Sequence, residues 1–253
     1  MQLVVIQAFN RHDKDSITQL DGGVLVIRGK WVSYASDFQV ESTGLGRRVS
    51  ALITEKNKYK TRIMVTYRPN VRGNSATVSS QHERYFQTRS DNRNPLVVYD
   101  EDLKYCVNTH QVQGEGAIIL MGDFNADVQA GEIKGLCGKR GLSELILQRH
   151  GTNSPATHER NTNRVLIDEI LGSESIHIVR GGYLGFGEAF DSNHRTLWVE
   201  IGAKDLLGYR PAETHKRKSK CIKSGDPRRV EKYVKRVHMR FEKKGLVSQT
   251  EDM

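Results

Sequence analysis

Cysteine is scarce in this chain, proline scarcer relative to its usual share, and long apolar runs are absent. Each shortage removes a class of protein. The three cysteines, Cys106, Cys137 and Cys221, lie far apart without metal-ligand spacing, which excludes a disulfide framework or a zinc knuckle and fits a reducing compartment. The opening Met1-Gln2-Leu3-Val4-Val5-Ile6 holds four consecutive aliphatics and no basic leader. No run approaches the roughly 18 apolar residues of a membrane span. The expected setting is therefore intracellular, nucleus or cytoplasm, rather than secreted. Five prolines are too few for a proline-rich linker or an extended spacer.

What is present supports a folded body with a charged extension. Of 253 residues 37% are hydrophobic, enough to build a sizeable core. The net charge of +9 is unevenly placed. Between Arg210 and Gly245 there are fourteen Lys and Arg against four Asp and Glu, so the rest of the chain is close to neutral. A balanced body with a basic extension calls for an anionic partner, with nucleic acid expected ahead of a membrane surface. A merely solubilising tail is the plainer alternative.

Aliphatic runs punctuated by polar turns mark the organisation. Val24 to Arg28 and Arg62 to Tyr67 read as strands. Ser80 followed by Glu83 has capping-box spacing and predicts a helix running toward Arg89. Leu96, Tyr99, Leu103, Cys106 and Val107 share one helical face after Pro95. Next come a strand at Ala117 to Met121, a short helix near Leu142 to Arg149, a strand at Val165 to Leu171 and a last strand at Thr196 to Ile201. Strands interleaved with helices indicate an α/β or α+β sheet with helices outside it. The boundaries are read as 1–205 for the domain and 206–253 for a basic connector. In the connector, Asp226-Pro227 opens a second helix with an apolar stripe of Val230, Tyr233, Val234, Val237 and Phe241.

Three clusters carry chemistry. In Ala117-Ile-Ile-Leu-Met-Gly-Asp-Phe-Asn125 an apolar strand ends in Asp123 and Asn125. Two positions apart, these side chains project to one side at the rim of a sheet. A carboxylate there can ligate Mg²⁺ or orient water, although Gly-Asp-Phe-Asn alone also reads as a turn. Asp168 stands inside the apolar run Ile167 to Leu171, where burial without a partner costs several kcal/mol. Asp191-Ser192-Asn193-His194-Arg195 precedes the final strand and offers an imidazole for it. An Asp holding a His fixes its tautomer and keeps it cationic.

Taken in order, Tyr-Arg-Pro-Asn (Tyr67 to Asn70), Gly-Asp-Phe-Asn (Gly122 to Asn125), Ile-Asp-Glu-Ile-Leu (Ile167 to Leu171) and Ser-Asn-His-Arg (Ser192 to Arg195) resemble the endonuclease/exonuclease/phosphatase superfamily. Within it the arrangement is most like the endonuclease domains that precede reverse transcriptases in non-LTR retroelements. The resemblance implies a four-layered α/β sandwich, two packed mixed sheets flanked by helices, and Mg²⁺-dependent phosphodiester hydrolysis of nucleic acid, DNA first, with a reverse transcriptase region following in longer relatives. It implies that Asp123 positions or deprotonates the attacking water and that Asn125 helps hold it. Tyr67 and His194, the latter oriented by Asp168, are to grip the phosphate. Arg68 and Arg195 beside the motifs, and Arg228 and Arg229 in the connector, are candidates for backbone phosphates. A phosphatase or deadenylase branch acting on small phosphates or RNA stays open.

The chain departs from the family pattern twice. Gln7-Ala8-Phe9-Asn10 offers no Gln-Glu pair for the principal metal ligand, and Asp13, Asp15 and Asp21 fall in a polar stretch. The domain is accordingly read as incomplete at its N-terminus. Asn193 stands where the family has an aspartate, leaving Asn193 or the neighbouring Asp191 to meet the metal. A carboxamide is a poorer ligand than a carboxylate for a hard cation, so Mg²⁺ is expected to bind weakly. A catalytically inactive remnant that only binds nucleic acid is the alternative reading.

Overall fold

The structure, a computed structural model, describes residues 2–12, 22–54, 59–70, 77–114, 116–127, 131–151, 154–208 and 226–243. Asp13, Asp15, Asp21, Cys221 and the stretch 209–225 of the expected connector lie outside them. The chain divides into two compact units, Met1–Pro211 and Ala212–Met253.

In the first unit the element order is β1 (Leu3–Phe9), β2 (Gly22–Arg28), a 3-10 turn (Gly29–Tyr34), β3 (Ala35–Val40), β4 (Arg48–Thr54), β5 (Lys60–Tyr67), α1 (Val78–Gln87), α2 (Pro95–Val112) and β6 (Ala117–Asp123). It continues with α3 (Gly131–Arg140), β7 (Leu142–Glu144), α4 (Leu145–His150), β8 (His158–Arg160), β9 (Asn163–Val165), β10 (Asp168–Ser173), β11 (Ile178–Tyr183), β12 (Leu197–Ile201) and α5 (Ala203–Leu207). A six-stranded mixed sheet runs in the order β3-β4-β5-β6-β10-β7, and three antiparallel pairs, β1-β2, β8-β9 and β11-β12, complete the strands. Among the described strands only the β5-β6 pairing is parallel, with helices α1 and α2 in its crossover.

The architecture is mixed α/β. The run Ala117 to Met121 is continuously apolar because both faces of β6 are covered. Ile118 and Leu120 join Met64 and Leu171 under Tyr99, Leu103 and Val107 of α2 and Ile133 of α3. Ala117 and Ile119 face the other way, against Ile178, Leu197, Val199 and Ile201 of the β11-β12 pair. Farther along that second face, Val49, Ala51 and Ile53 of β4 pack on Ala8, Leu25 and Ile27 of the β1-β2 pair. Two strand pairs, together with α4 and α5, thus form a layer behind the main sheet, and α2 and α3 form the layer in front. The far side of β1-β2 exposes Leu3, Val5, Phe9, Val24 and Val26, with no described helix over it.

Local chemistry explains several element ends. Helix α1 starts at Thr77, whose hydroxyl accepts the Ser80 N–H at 3.4 Å, rather than at Ser80. A bond this long places Thr77→Ala at the weak end of capping losses, about 0.5 kcal/mol, read as a small drop in the urea midpoint. Helix α2 opens on Asn94, which accepts the Leu96 N–H at 2.8 Å, with Pro95 in the first turn. Leu142 to Glu144, expected to begin a helix, instead pairs with β10 in the register Leu171↔Glu144, and the helix begins at Leu145. Arg47 is buried between Glu41 at 2.9 Å and Asp102 at 2.7 Å, and its carbonyl accepts the Tyr67 N–H at 2.9 Å. That ion-paired arginine ties the β3-β4 loop and α2 to the end of β5.

In the second unit α6 spans Pro227–Lys243, with none of its described residues buried. Its exposed Arg228 and Arg229 follow Asp226, which takes Arg229 Nε at 3.2 Å. No described helix is long and apolar enough to cross a membrane.

Candidate active site

Three neighbouring strand ends build the site. Tyr67 at the end of β5 is in register with Asp123 at the end of β6, and Asp123 is in register with Asp168 at the start of β10. Gly122 is demanded by close approach, since a Cβ there would stand 1.8 Å from the Thr66 carbonyl oxygen. The strand therefore runs close beside β5 up to the residue that carries the carboxylate. After Asp123 the chain turns sharply: the Asn125 N–H donates to Asp123 Oδ1 at 2.8 Å, and Asn125 adopts a left-handed φ of 45°. Asparagine tolerates that conformation better than most residues. Its side-chain N–H donates to the Arg68 carbonyl at 2.7 Å, while the Arg68 N–H donates to the Asp123 carbonyl at 2.9 Å.

His194 arrives from the loop before β12. Its Nδ1 lies 2.9 Å from Asp168 Oδ2 and 3.2 Å from Oδ1. The ligand atoms of Asp123, Asp168 and His194 all lie within 4.8 Å of one another. With Nδ1–H donated to Asp168, Nε2 is the nitrogen left for a substrate oxygen. The hydrogen bond to Asp168 raises the His194 pKa and favours imidazolium. Burial and the Asp168 charge push the Asp123 carboxyl up to about 6, against the opposing pull of the Asn125 N–H and His194.

Two residues of the site went unread in the sequence. Thr157 is fully buried; its hydroxyl accepts the N–H groups of Ile167 and Asp168 at 3.0 Å each, and its carbonyl accepts the Arg195 N–H at 2.6 Å. It locks the entry of β10 to the His194 loop. His158 lies with its ring 4.6 Å from that of His194 and its pKa is lowered, first by burial and then by His194. The signal available was Thr157-His158 just after Pro155, a polar pair closing a turn, which by itself points nowhere.

The remaining expected residues fall in different places. Asn193 directs its amide to His158 Nε2 at 2.9 Å. Asp191 is exposed and is not among the carboxylates that gather within 4.8 Å. Arg68, expected on a phosphate, is buried, with Nε and Nη2 on the two oxygens of Asp100 at 3.0 Å each. Its guanidinium clamps α2 to the rim. Arg195 stands over the Phe186 ring at 4.3 Å and donates to the Leu184 carbonyl at 3.3 Å.

No protein-family model matches the chain, and no curated protein matches it. Among solved structures the chain is similar to an endonuclease/exonuclease/phosphatase family protein from Leptotrichia buccalis, with 13% identity and a TM-score of 0.46 over 79% of this chain and 71% of that one. It is also similar to a mannosyl-6-phosphatase from Bacteroides thetaiotaomicron, with 16% identity and a TM-score of 0.45 over 79% and 76% of the two chains. A third is the 3′ phosphatase NExo from Neisseria bound to a product DNA hairpin, with 15% identity and a TM-score of 0.44 over 66% and 71%.

A divalent cation suits the cluster. Two carboxylates are paired across β6 and β10, and a cation would relieve both the burial and the Asp168 charge that raise the Asp123 pKa. Mg²⁺ commonly takes one or two carboxylates and leaves its other positions to water and phosphate oxygens. Asp123 and Asp168 are the residues that would hold it.

Proposed function

We propose that this chain is a metal-dependent phosphodiesterase that cuts nucleic acid, of the retroelement endonuclease type. The observation that carries the reading is the gathering of Asp123, Asp168 and His194 within 4.8 Å at the end of β6, on motifs that occur in the superfamily's order. Asp123 accepts or orients the attacking water, and Asn125 offers its second side-chain N–H to the water or the scissile phosphate. His194, held cationic by Asp168, donates to a phosphate oxygen, and Tyr67 does so from the adjacent strand end. When bound, Mg²⁺ neutralises charge at the phosphate. Positioning and charge neutralisation supply most of the acceleration in such displacements.

The choice of a polymer rests on what borders the cluster. A groove of about 930 Å³ runs beside it, lined by Asn70, Asn125, His158, Arg160, Asn163 and Arg164. Basic side chains on the β8-β9 pair suit a chain of phosphates more than a lone one. The purified protein is expected to nick supercoiled plasmid in Mg²⁺ and not in EDTA, and His194→Ala is expected to slow nicking about 100-fold. Nicking that persists unchanged in EDTA sinks the proposal.

A second reading, an inactive nucleic-acid-binding module, is favoured by one observation: among the described residues two carboxylates enter the cluster, while Asn193 is engaged with His158. Binding that weakens steeply with salt but ignores His194→Ala, with no Mg²⁺-dependent nicking, identifies that case.

A further inference from the structure

The loop between β11 and β12 carries a feature that the phosphate chemistry leaves unused. Phe190 is 74% exposed, four residues ahead of His194. A single exposed phenylalanine is ordinary on a protein surface; this one lies two residues past a hydrogen-bonded turn. The Leu184 N–H donates to the Thr196 carbonyl at 2.9 Å and closes the loop at its base. Glu188 accepts the Gly185 N–H at 2.6 Å and donates its own N–H back to the Gly185 carbonyl at 3.2 Å. Gly187, at φ +70°, makes the turn between them. The loop's other aromatic, Phe186, is covered by the Arg195 guanidinium at 4.3 Å. Phe190 has no ring or cation partner among the described residues.

We propose that Phe190 is a stacking platform for an unpaired nucleobase of the substrate strand, close to the phosphate held by His194. This rests on the nucleic-acid reading above and narrows it to a substrate with at least one unstacked base. Four residues of chain reach at most about 14 Å, roughly four bases at the ~3.4 Å per-strand spacing of a duplex. The platform therefore serves a base within a few nucleotides of the cut. A loop closed at its base limits the ordering that binding demands, and an aromatic face accepts any base. Phosphate contacts fix the strand; the ring decides whether the base beside them is out of its stack.

The test uses a short single-stranded DNA carrying one 2-aminopurine, titrated with the protein in EDTA so that nothing is cut. Wild type is expected to quench the probe on binding. Phe190→Ala is expected to lose the quenching and to bind about 5- to 150-fold more weakly, the range for one base on one aromatic ring. Phe190→Trp is expected to restore both. In Mg²⁺, hydrolysis of the baseless diester bis(p-nitrophenyl) phosphate is expected to be equal in wild type and Phe190→Ala, since no base is there to stack. Equal quenching in wild type and Phe190→Ala, no quenching by wild type at any probe position, or an equal loss on the baseless diester overturns the proposal. Quenching that depends on Phe190 in a protein without Mg²⁺-dependent cleavage leaves this site standing and removes the hydrolase reading alone.

Discussion

Asp123→Asn is expected to lower Mg²⁺-dependent nicking about 1000-fold, within the range for removal of a positioned acid or base, and at the same time to make the metal-free protein more stable. The two effects have one cause. Asparagine keeps the shape of the side chain and an oxygen that accepts the Asn125 N–H, now 2.8 Å from Oδ1, so the turn after β6 survives. What disappears is a negative charge that burial and Asp168 disfavour, enough to push the carboxyl up to about 6. For an acid whose folded pKa exceeds its unfolded value of 3.8, the folded state holds a proton that the unfolded state has released. Stability is complete below pH 4 and falls as pH rises through about 6. At pH 8 the wild type therefore carries a penalty of about 2 kcal/mol, after a discount for solvent at the rim.

Urea unfolding in EDTA at pH 8 reads the stability gain, and plasmid nicking in Mg²⁺ reads the loss of activity. A variant that is slower and also less stable in EDTA indicates that Asp123 serves the turn rather than the reaction. Sites built for charge chemistry are commonly strained in this way, with stability and activity pulling against each other.

How much of this was legible depended on whether the deciding partner was near in sequence. Ala117 to Asp123 announced itself, because a run apolar on both faces can only be an inner strand and its polar end must reach a rim. Asp168 was legible as a charge in need of a partner, and the geometry supplies His194 at 2.9 Å. Arg68 was not legible, because its fate is decided by Asp100, 32 residues away on α2. Leu142 to Glu144 carries a helical pattern, yet pairing with β10 overrides it. Strands β3 and β4 gave little signal: β3 is mostly exposed with a register shift between Ser36 and Gln39, and β4 mixes Arg48 and Ser50 into its run. The tight β8-β9 pair, which contributes His158 and lines the groove, is three residues per strand and has no period long enough to read.

Glu169→Gln is expected to stabilise the protein by about 3 kcal/mol at pH 8 and by little at pH 4. Glu169 is 1% exposed at the second position of β10; its Oε1 accepts the N–H of Ile170 at 2.8 Å, the backbone N–H of Ile146 also favours its carboxylate, and Oε2 finds no hydrogen bond of good geometry. Burial, reinforced by Glu144 and Asp168 and opposed by backbone N–H groups, pushes the carboxyl up to about 7 from 4.5. The sign is that of a raised acid. Below pH 4.5 both states are protonated and there is no penalty; between 4.5 and 7 the folded state retains a proton the unfolded state has lost, and stability falls until the full shift is expressed above 7. A shift of this size is worth about 3 kcal/mol. Glutamine keeps the oxygen that Ile170 binds and never ionises, so its unfolding free energy, followed by urea in EDTA from pH 4 to 8, should lack that decline. Curves for wild type and Glu169→Gln that run parallel across this range refute the assignment. The test also separates two carboxylates that neighbour one another along β10: Asp168 meets the His194 ring at 2.9 Å, whereas Glu169 is buried and offsets that burial by holding its proton.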